Sequence, residues 1–324
     1  MSLPEVPSPL VVLLGPTAVG KTELSLRLAE SVGGEIISAD SRYLYRGMDI
    51  GTAKPTPAEQ ARVPHHLIDV ADPDETWSLA LFKRAAREGI TGAQARGRLP
   101  ILVGGTGQYV RAIIEDWDIP AQEPDTRLRA RIEQWGSEIG AGALHDRLAV
   151  IDPAAAARIQ PSNVRRTVRA LEVILLTGRR FSEQYTRSGS PYSLLLVGLR
   201  RPREELYRRI DERIEAMIAS GLIDEVQALL DKGYAPELPT LSAIGYREIA
   251  AVLRSEMTLD EAVTRMKRLT RQFVRRQANW FKETDPMIHW FDARAVTVED
   301  IASLIRSPDA WISPERDKTD RITP

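Results

Sequence analysis

The sequence predicts an α/β protein: a P-loop-type parallel sheet core flanked by helices, with an inserted all-helical domain. Three observations predict it. Short apolar runs alternate with helical stretches, and each run gives out into a glycine or polar loop, the pattern of parallel strands joined by crossover helices. The first run leads straight into Gly15-Pro16-Thr17-Ala18-Val19-Gly20-Lys21-Thr22, which fits G-x-x-x-x-G-K-[ST]. Between strand candidates lies a segment, from about Glu115 to Ser190, with helical stretches and no convincing strand.

Taken in order, Leu10 to Leu14 is continuously apolar and ends at Gly15-Pro16, as a strand covered on both faces should be. Lys21 to Glu30 carries Leu24, Leu26, Leu28 and Ala29 among good helix formers and predicts a helix. Glu35 to Ile37 is a second strand leading to Asp40-Ser41, Leu99 to Val103 a third running into Gly104-Gly105, and Leu194 to Leu199 a fourth. Helices are expected in the insertion at Arg127 to Trp135, Ala143 to Val150 and Asn163 to Leu176, and after the fourth strand at Arg203 to Ser220, Ile223 to Leu230 and Thr258 to Phe281. The expected organisation is an α/β core of 1–114 and 191–306, an inserted helical domain of 115–190, and a polar, frayed tail of 307–324. A chain of 324 residues suits two domains at roughly 150 residues each.

With 43% hydrophobic and 27% charged residues there is enough apolar material for a sizeable core, which excludes wholesale disorder. No apolar run approaches the roughly 20 residues of a spanning helix, and Met1 to Pro9 shows no basic residue or long apolar stretch of a secretory signal. No membrane partner is expected, and a cytoplasmic setting follows. The absence of cysteine excludes disulfides, thiolate catalysis and cysteine zinc sites. Net charge is −1, from 44 basic and 45 acidic residues, but the average hides a separation. Arg265, Lys267, Arg268, Arg271, Arg275, Arg276 and Lys282 occur without an acid among them; Arg158, Arg165, Arg166, Arg169, Arg179, Arg180 and Arg187 face only Glu172 and Glu183. Such local fields steer polyanions.

The glycine-rich loop predicts a phosphate site built from Gly15, Pro16, Thr17, Ala18, Val19, Gly20, Lys21 and Thr22. Its glycines let backbone N–H groups turn around a phosphate, Lys21 offers a point charge, and the Thr22 hydroxyl can ligate Mg²⁺. An ATPase would pair this loop with a strand ending in Asp, whereas the third strand ends Val103-Gly104-Gly105-Thr106. The one carboxylate placed at a strand end is Asp40. It opens a dense stretch, Asp40 to Pro55, with two aromatics and two glycines, suited either to contact with a large polar substrate or to a structured surface loop. On an ideal helix Arg268, Arg271, Arg275 and Lys282 share one face and Met266, Leu269, Phe273 and Trp280 the opposite one. The apolar stripe reads as core. The basic stripe is a solvated face or a phosphate rail, and the lack of acids for i,i+4 pairing within it favours the rail. His65-His66 reads as a hydrogen-bonded structural pair.

The P-loop, the stretch Asp-Ser-Arg-x-x-Tyr-Arg-Gly-Met-Asp-Ile-Gly-Thr-Ala-Lys-Pro from Asp40, Pro64 to Asp69, Gly104 to Tyr109, Arg166 to Glu172 and Ile244 to Glu248 together resemble the tRNA dimethylallyltransferase family, in order from about Leu10 to Trp290. The sequence departs from the family at Tyr43-Leu44, where members often carry Gln followed by Val. The resemblance implies transfer of a dimethylallyl group from dimethylallyl diphosphate to the exocyclic amine of the adenine 3′ to the anticodon, with release of diphosphate. It implies a P-loop used without ATP hydrolysis: Ala18 to Thr22, Lys21, Arg213 and Mg²⁺ held by Thr22 would bear the leaving diphosphate. Asp40 would be the general base or an outer ligand of Mg²⁺, and Thr106 a substrate contact at the end of the third strand. An adenine inside an anticodon loop must be turned out of its stack to react. Asp40, Ser41, Arg42, Tyr43, Thr106, Arg165, Arg166, Arg169, Arg268, Arg271 and Arg275 are accordingly expected to meet the tRNA anticodon stem-loop. A monomer is expected.

The competing reading is a P-loop small-molecule kinase, with Asp40 as base for a substrate hydroxyl. It accounts for the P-loop and Asp40 but leaves the basic helix and the insertion without a purpose. A free-adenylate prenyl transferase shares the core chemistry but does not need two separated basic clusters.

Overall fold

The computed structural model describes residues 6–119, 125–184 and 189–314. Arg187 of the second basic cluster, and residues 315–324 of the expected tail, lie outside these residues. The described residues divide into two compact units, within Met1–Trp77, Leu81–Ile114 and Gly189–Pro324 for the first and Ser78–Ala80 with Glu115–Ser188 for the second.

In the first unit, β1 (Pro9–Leu14), β2 (Gly34–Ser38), β3 (His65–His66), β4 (Leu99–Gly104), β5 (Ser193–Arg200) and β6 (Ile288–Asp292) form one six-stranded sheet in the order β3-β2-β4-β1-β5-β6. Every pairing is parallel, with Leu14 level with Gly104 on one side and Gly198 on the other. Leu10 to Leu14 are wholly buried, which is why β1 reads as an unbroken apolar run rather than an alternation. Because β4 sits between β1 and β2, the chain leaves β1 for one side and β5 flanks it on the other. The crevice beyond the carboxyl ends of β1 and β4 is therefore the place where such a sheet collects ligands.

In the first unit, two strands and four helices of eight residues or more go beyond the sequence reading. β3 has only two residues, and β6 is a half-exposed edge strand bonded to β5 alone, so neither carries a strong apolar signature. The helices Leu79–Ala95, Gly107–Ile114, Tyr246–Leu253 and Val298–Arg306 complete the layers. The basic helix runs Leu259–Gln277 and stops short of the expected Phe281, because the chain turns off for Trp280 to pack against Gly107. The expected frayed tail is corrected at its start. Trp311 is buried with its indole N–H on the Ile305 carbonyl at 3.1 Å, and Ile312 exchanges backbone hydrogen bonds with Leu194 at 2.8 and 2.9 Å. Two apolar residues and backbone pairing outweigh a polar composition there. Among the described residues no helix is long and apolar enough to cross a membrane.

The second unit is helical: Thr126–Ile139, Ala141–Ile151, Pro153–Arg158, Val164–Thr177 and Phe181–Gln184 enclose a core that includes Ile132, Leu144, Leu148, Val168 and Leu171. Asp152 is fully buried and pins two helix starts, accepting from the Ala155 N–H at 3.0 Å and the Ser182 N–H at 2.8 Å. Glu172, also fully buried, accepts from Arg129 at 2.7 Å and Arg169 at 3.0 Å. A buried carboxylate needs such partners, and losing one is costly.

The Asp40–Pro55 stretch is a strap laid over the first unit. Its middle is anchored inward. Leu44 and Met48 are wholly buried, and the buried Lys54 ammonium donates to the Tyr45 carbonyl at 2.7 Å, to Asp69 at 2.6 Å and to Asp49. From the helix Leu222–Asp231, Glu225 accepts the N–H groups of Asp49, Ile50 and Gly51 at 2.9, 2.7 and 3.1 Å, and the Tyr246 hydroxyl at 2.6 Å. Gly51 lies so close under the Tyr246 ring that a Cβ would stand 2.5 Å from it. Tyr246 is fully buried and cannot give way. Gly51→Ala is therefore expected to lower folding stability by about 1–3 kcal/mol through overpacking. Gly142→Ala, on an open helix face with nothing within 4 Å, should be neutral or slightly stabilising. Urea denaturation of the two variants checks the contrast.

Candidate active site

A cavity of about 850 Å³ opens beyond the carboxyl ends of β1 and β4, and all of its lining comes from the first unit. One wall is the P-loop between β1 and the helix Lys21–Val32. Here Gly20, with φ of +114°, and Ala18, with φ of +65°, take left-handed conformations. A Cβ on Gly15 would stand 2.9 Å from the Leu199 carbonyl, so β5 excludes a side chain there. Two arginines hold the loop: Arg209, which itself lines the cavity, donates to the Ala18 carbonyl at 2.8 Å and Arg201 to the Val19 carbonyl at 2.9 Å. The Val19 N–H closes the loop on the Pro16 carbonyl at 3.3 Å. Val19 is buried beneath the loop.

Lys21 spans the loop, donating to the carbonyls of Gly15 and Pro16 at 2.9 Å each. Burial lowers its pKa to about 8; the Asp40 carboxylate opposes that shift and Arg213 adds to it. Lys21, Asp40 and Arg213 thus form one electrostatic group within the cavity that Thr22 also lines. Arg213, on the helix Arg203–Ala219, is steadied by the Thr52 carbonyl at 3.1 Å, at the far end of the strap.

The strap begins at Asp40, just beyond β2. Asp40 Oδ1 accepts the Arg42 N–H at 2.9 Å, a turn that fixes the direction of the carboxylate. Thr106 follows β4, and its hydroxyl accepts the Ser41 N–H at 3.4 Å, so the two strand ends bring Asp40, Ser41 and Thr106 together as cavity lining. The Tyr43 hydroxyl donates to the Ala53 carbonyl at 2.8 Å. Burial, reinforced by the Asp40 charge, pushes its pKa far up, so it stays a phenol. Arg42 lines the cavity, and its guanidinium reaches the carbonyls of Pro239 and Thr240 at 3.3 and 3.1 Å. It ties the strap to the neighbouring loop.

The basic helix differs from its sequence reading on both faces. Met266 is buried as expected, but Leu269, Phe273 and Trp280, also read as core, are half-buried and line the cavity, together with Ile214 and Met217 from the facing helix. Periodicity reveals an apolar face but not whether that face meets core or cavity. On the other side Arg271 pairs with Asp211 and lies over the Tyr207 ring, Lys267 pairs with Glu215 at 2.7 Å, and Arg265 approaches Glu248 at 3.5 Å. The acids missing from the basic stretch of this helix are supplied by neighbouring helices, so Arg271 is an anchored residue, while Arg268 and Arg275 stay exposed. In the second unit Arg165 and Arg166 are exposed, whereas Arg169 is committed to the buried Glu172.

Arg201, Arg209, Glu225 and Gln277 escaped the sequence reading. Arg209 and Arg213 stand one helical turn apart with Ile210, Ile214 and Met217 beside them, a mixed cationic and apolar face that a search for acid–base motifs passes over. His65-His66 is structural: His66 bonds Glu35 at 2.7 Å, and His65 Nδ1 bonds the Val63 carbonyl at 2.8 Å.

A family model described as IPP transferase matches residues 43–284, and one described as isopentenyl transferase matches residues 9–69. The tRNA dimethylallyltransferase of Roseiflexus sp. (strain RS-1) is 55% identical over 274 residues, covering 85% of this chain and 90% of the relative. That of Thermomicrobium roseum is 51% identical over 284 residues, 88% of this chain and 86% of the relative. Among solved structures, the full-length tRNA isopentenylpyrophosphate transferase of Bacillus halodurans superposes with a TM-score of 0.68 at 44% identity, over 92% of this chain and 95% of that one. A eukaryotic dimethylallyltransferase, captured acting on tRNA, superposes with a TM-score of 0.76 at 28% identity, over 88% and 74% of the two chains. A phosphate-cradling loop, a strand-end carboxylate and an apolar wall in one cavity, together with relatives matched over most of their length, place the chain in the IPP transferase family.

Proposed function

We propose that this chain transfers the dimethylallyl group of dimethylallyl diphosphate to the exocyclic amine of the adenosine 3′ to the anticodon of tRNA, releasing diphosphate, and that it does so as a cytoplasmic monomer. The observation that carries the reading is a single cavity that combines a cationic P-loop, an oriented carboxylate and an apolar wall. A prenyl diphosphate is an apolar chain on a polyanion, and each part finds its complement there. A small-molecule kinase explains the P-loop and Asp40, but gives no purpose to the wall of Ile214, Met217, Leu269 and Phe273.

As the bond to diphosphate lengthens, positive charge develops on the allyl carbon and negative charge on the leaving oxygen. The P-loop with Lys21, and Arg213 across the cavity, would stabilise the latter without rearranging. The adenine amine is a weak nucleophile because its lone pair is delocalised into the ring. Asp40, held by its turn bond, orients the amine and takes its proton as the carbon–nitrogen bond forms. Thr106, beside Asp40, offers a hydroxyl to the same base. Among the described residues no group of three or more His, Asp or Glu could hold a metal ion. Hard oxygen donors are nevertheless present in Thr22 and Asp40, which suits Mg²⁺ carried largely by diphosphate and water. Bound there, Mg²⁺ would neutralise charge on the diphosphate. Arg165, Arg166, Arg268 and Arg275 are exposed cations for the RNA backbone.

An assay with labelled dimethylallyl diphosphate, Mg²⁺ and unmodified tRNA tests the reading. Label is expected in tRNA, and Asp40→Asn should lower kcat by roughly 100-fold or more while donor binding persists. Productive ATP turnover on a small acceptor, with no label in tRNA, would return the kinase reading. A second expectation concerns pH. Since the free site loses the Lys21 proton as pH rises through about 8, affinity for inorganic pyrophosphate should fall there. Lys21→Arg, protonated throughout, should lack that component. Calorimetric titrations between about pH 7 and pH 9.5 on both proteins check it, and parallel profiles would contradict it.

A further inference from the structure

The helix Leu259–Gln277 ends at the cavity on an amide that no step above uses. Gln277 Oε1 accepts the Thr17 N–H of the P-loop at 2.9 Å, and Gln277 Nε2 donates to the Gly105 carbonyl at 3.0 Å. Thr17 N–H can only donate and the Gly105 carbonyl can only accept, so the orientation of the amide is determined by its partners. One planar side chain thereby bridges the phosphate-binding loop to the turn that carries Thr106.

The turn is shaped to receive it. A Cβ on Gly104 would lie 2.4 Å from the Ala39 carbonyl, one on Gly105 2.5 Å from Gln277 Nε2, and one on Gly107 2.1 Å from Trp280 Cγ. Each of the three glycines is a seat for a different neighbour. Gly104 receives Ala39, the residue that joins β2 to Asp40. Gly105 receives the amide, and Gly107 receives the indole, whose backbone carbonyl accepts Arg111 at 2.6 Å. Thr106, between these seats, meets the Ser41 N–H. A continuous line of contacts thus runs from Thr17 through Gln277, Gly105 and Thr106 to the start of the strap.

We infer that Gln277 is a positioning residue for transfer: it keeps the P-loop, where diphosphate leaves, in register with Thr106 and Asp40, where the amine attacks. The inference rests on the transfer activity proposed above. Its effect is on alignment rather than on donor affinity, since the amide gives the P-loop an acceptor and brings no charge to the diphosphate. Reacting atoms must approach to about 3–3.5 Å, and a displacement of about 1 Å costs on the order of 100-fold in rate.

Gln277→Met keeps the length of the side chain and removes both hydrogen bonds. Gly105→Ala leaves Gln277 in place but claims the space of its amide; the clash is with the end of a flexible side chain, and Gly105 is not among the left-handed residues, so the fold should tolerate it. Each variant is expected to lower kcat for tRNA prenylation by about 10- to 100-fold, with the dissociation constant for inorganic pyrophosphate, by calorimetry, within about threefold of wild type. Gly105→Ala combined with Gln277→Ala should be no slower than Gln277→Ala alone, because both act through the same amide. Wild-type kcat in Gln277→Met would overturn the inference, as would multiplying effects in the double variant. A loss of pyrophosphate affinity matching the loss of kcat would instead make Gln277 a diphosphate ligand. Wild-type protein that binds pyrophosphate yet labels no tRNA would remove the activity itself, a result separate from any of these.

Discussion

The cavity depends first on which way the P-loop peptides face. A loop that bends this tightly must direct either its carbonyls or its N–H groups at the ligand, and a polyanion needs the latter. Ala18 takes a positive φ without being glycine, a conformation costing about 1 kcal/mol or more, and it persists only where the surroundings over-determine it. The surroundings here are Arg209 and Arg201 on the carbonyls of Ala18 and Val19. A covered carbonyl left without a partner would cost about 1–3 kcal/mol, so the two arginines stabilise the conformation that the loop takes here. Neither needs to touch a substrate to be indispensable to one.

The same economy of roles runs through the charges. A net charge of −1 conceals cations with two different tasks. Lys21 and Arg213 face the cavity, whereas Arg129, Arg169, Lys267 and Arg271 neutralise acids within the scaffold. Glu172 shows why this cannot be otherwise: a fully buried carboxylate with no guanidinium beside it would be strongly destabilising. Arg165, Arg166, Arg268 and Arg275, which remain exposed, belong to the part of the positive charge that folding does not consume.

This division marks the limit of what the residues reveal in order along the chain. The parallel sheet is legible because β1, β4 and β5 are buried on both faces and therefore continuously apolar. The P-loop is legible because its spacing follows from backbone geometry. β3 and β6 are not, since an edge strand of two residues, or one half open to solvent, carries no such run. The helix Leu79–Ala95 hides behind Gly89 and Gly92. Gly89 is there because a Cβ would meet the side chains of Ile37 and His66 at 3.2 and 3.5 Å, a reason that exists only once β2 and β3 lie beneath it. The partners of Arg271 and Lys267 lie on another helix, beyond any i,i+4 count. The apolar stripe from Met266 to Trp280 is legible as a face, but its assignment to the cavity requires knowing what stands opposite.

The strap shows how a segment can read as a dense motif while few of its residues meet a ligand. Asp40 to Tyr43 open it in the cavity, and Gly51 and Thr52 re-enter the cavity near its end. Between them, Leu44, Met48 and Asp49 are occupied with packing, with Glu225 and with Lys54. Thr52 then presents its carbonyl to Arg213, and Ala53 presents its own to Tyr43. The carboxylate at one end and the guanidinium docked at the other are thereby placed by a single piece of chain. Moving the middle would displace the proposed base and the diphosphate cation together, so the buried clamp of Glu225, Tyr246 and Lys54 belongs to the active site as fully as the residues that line it.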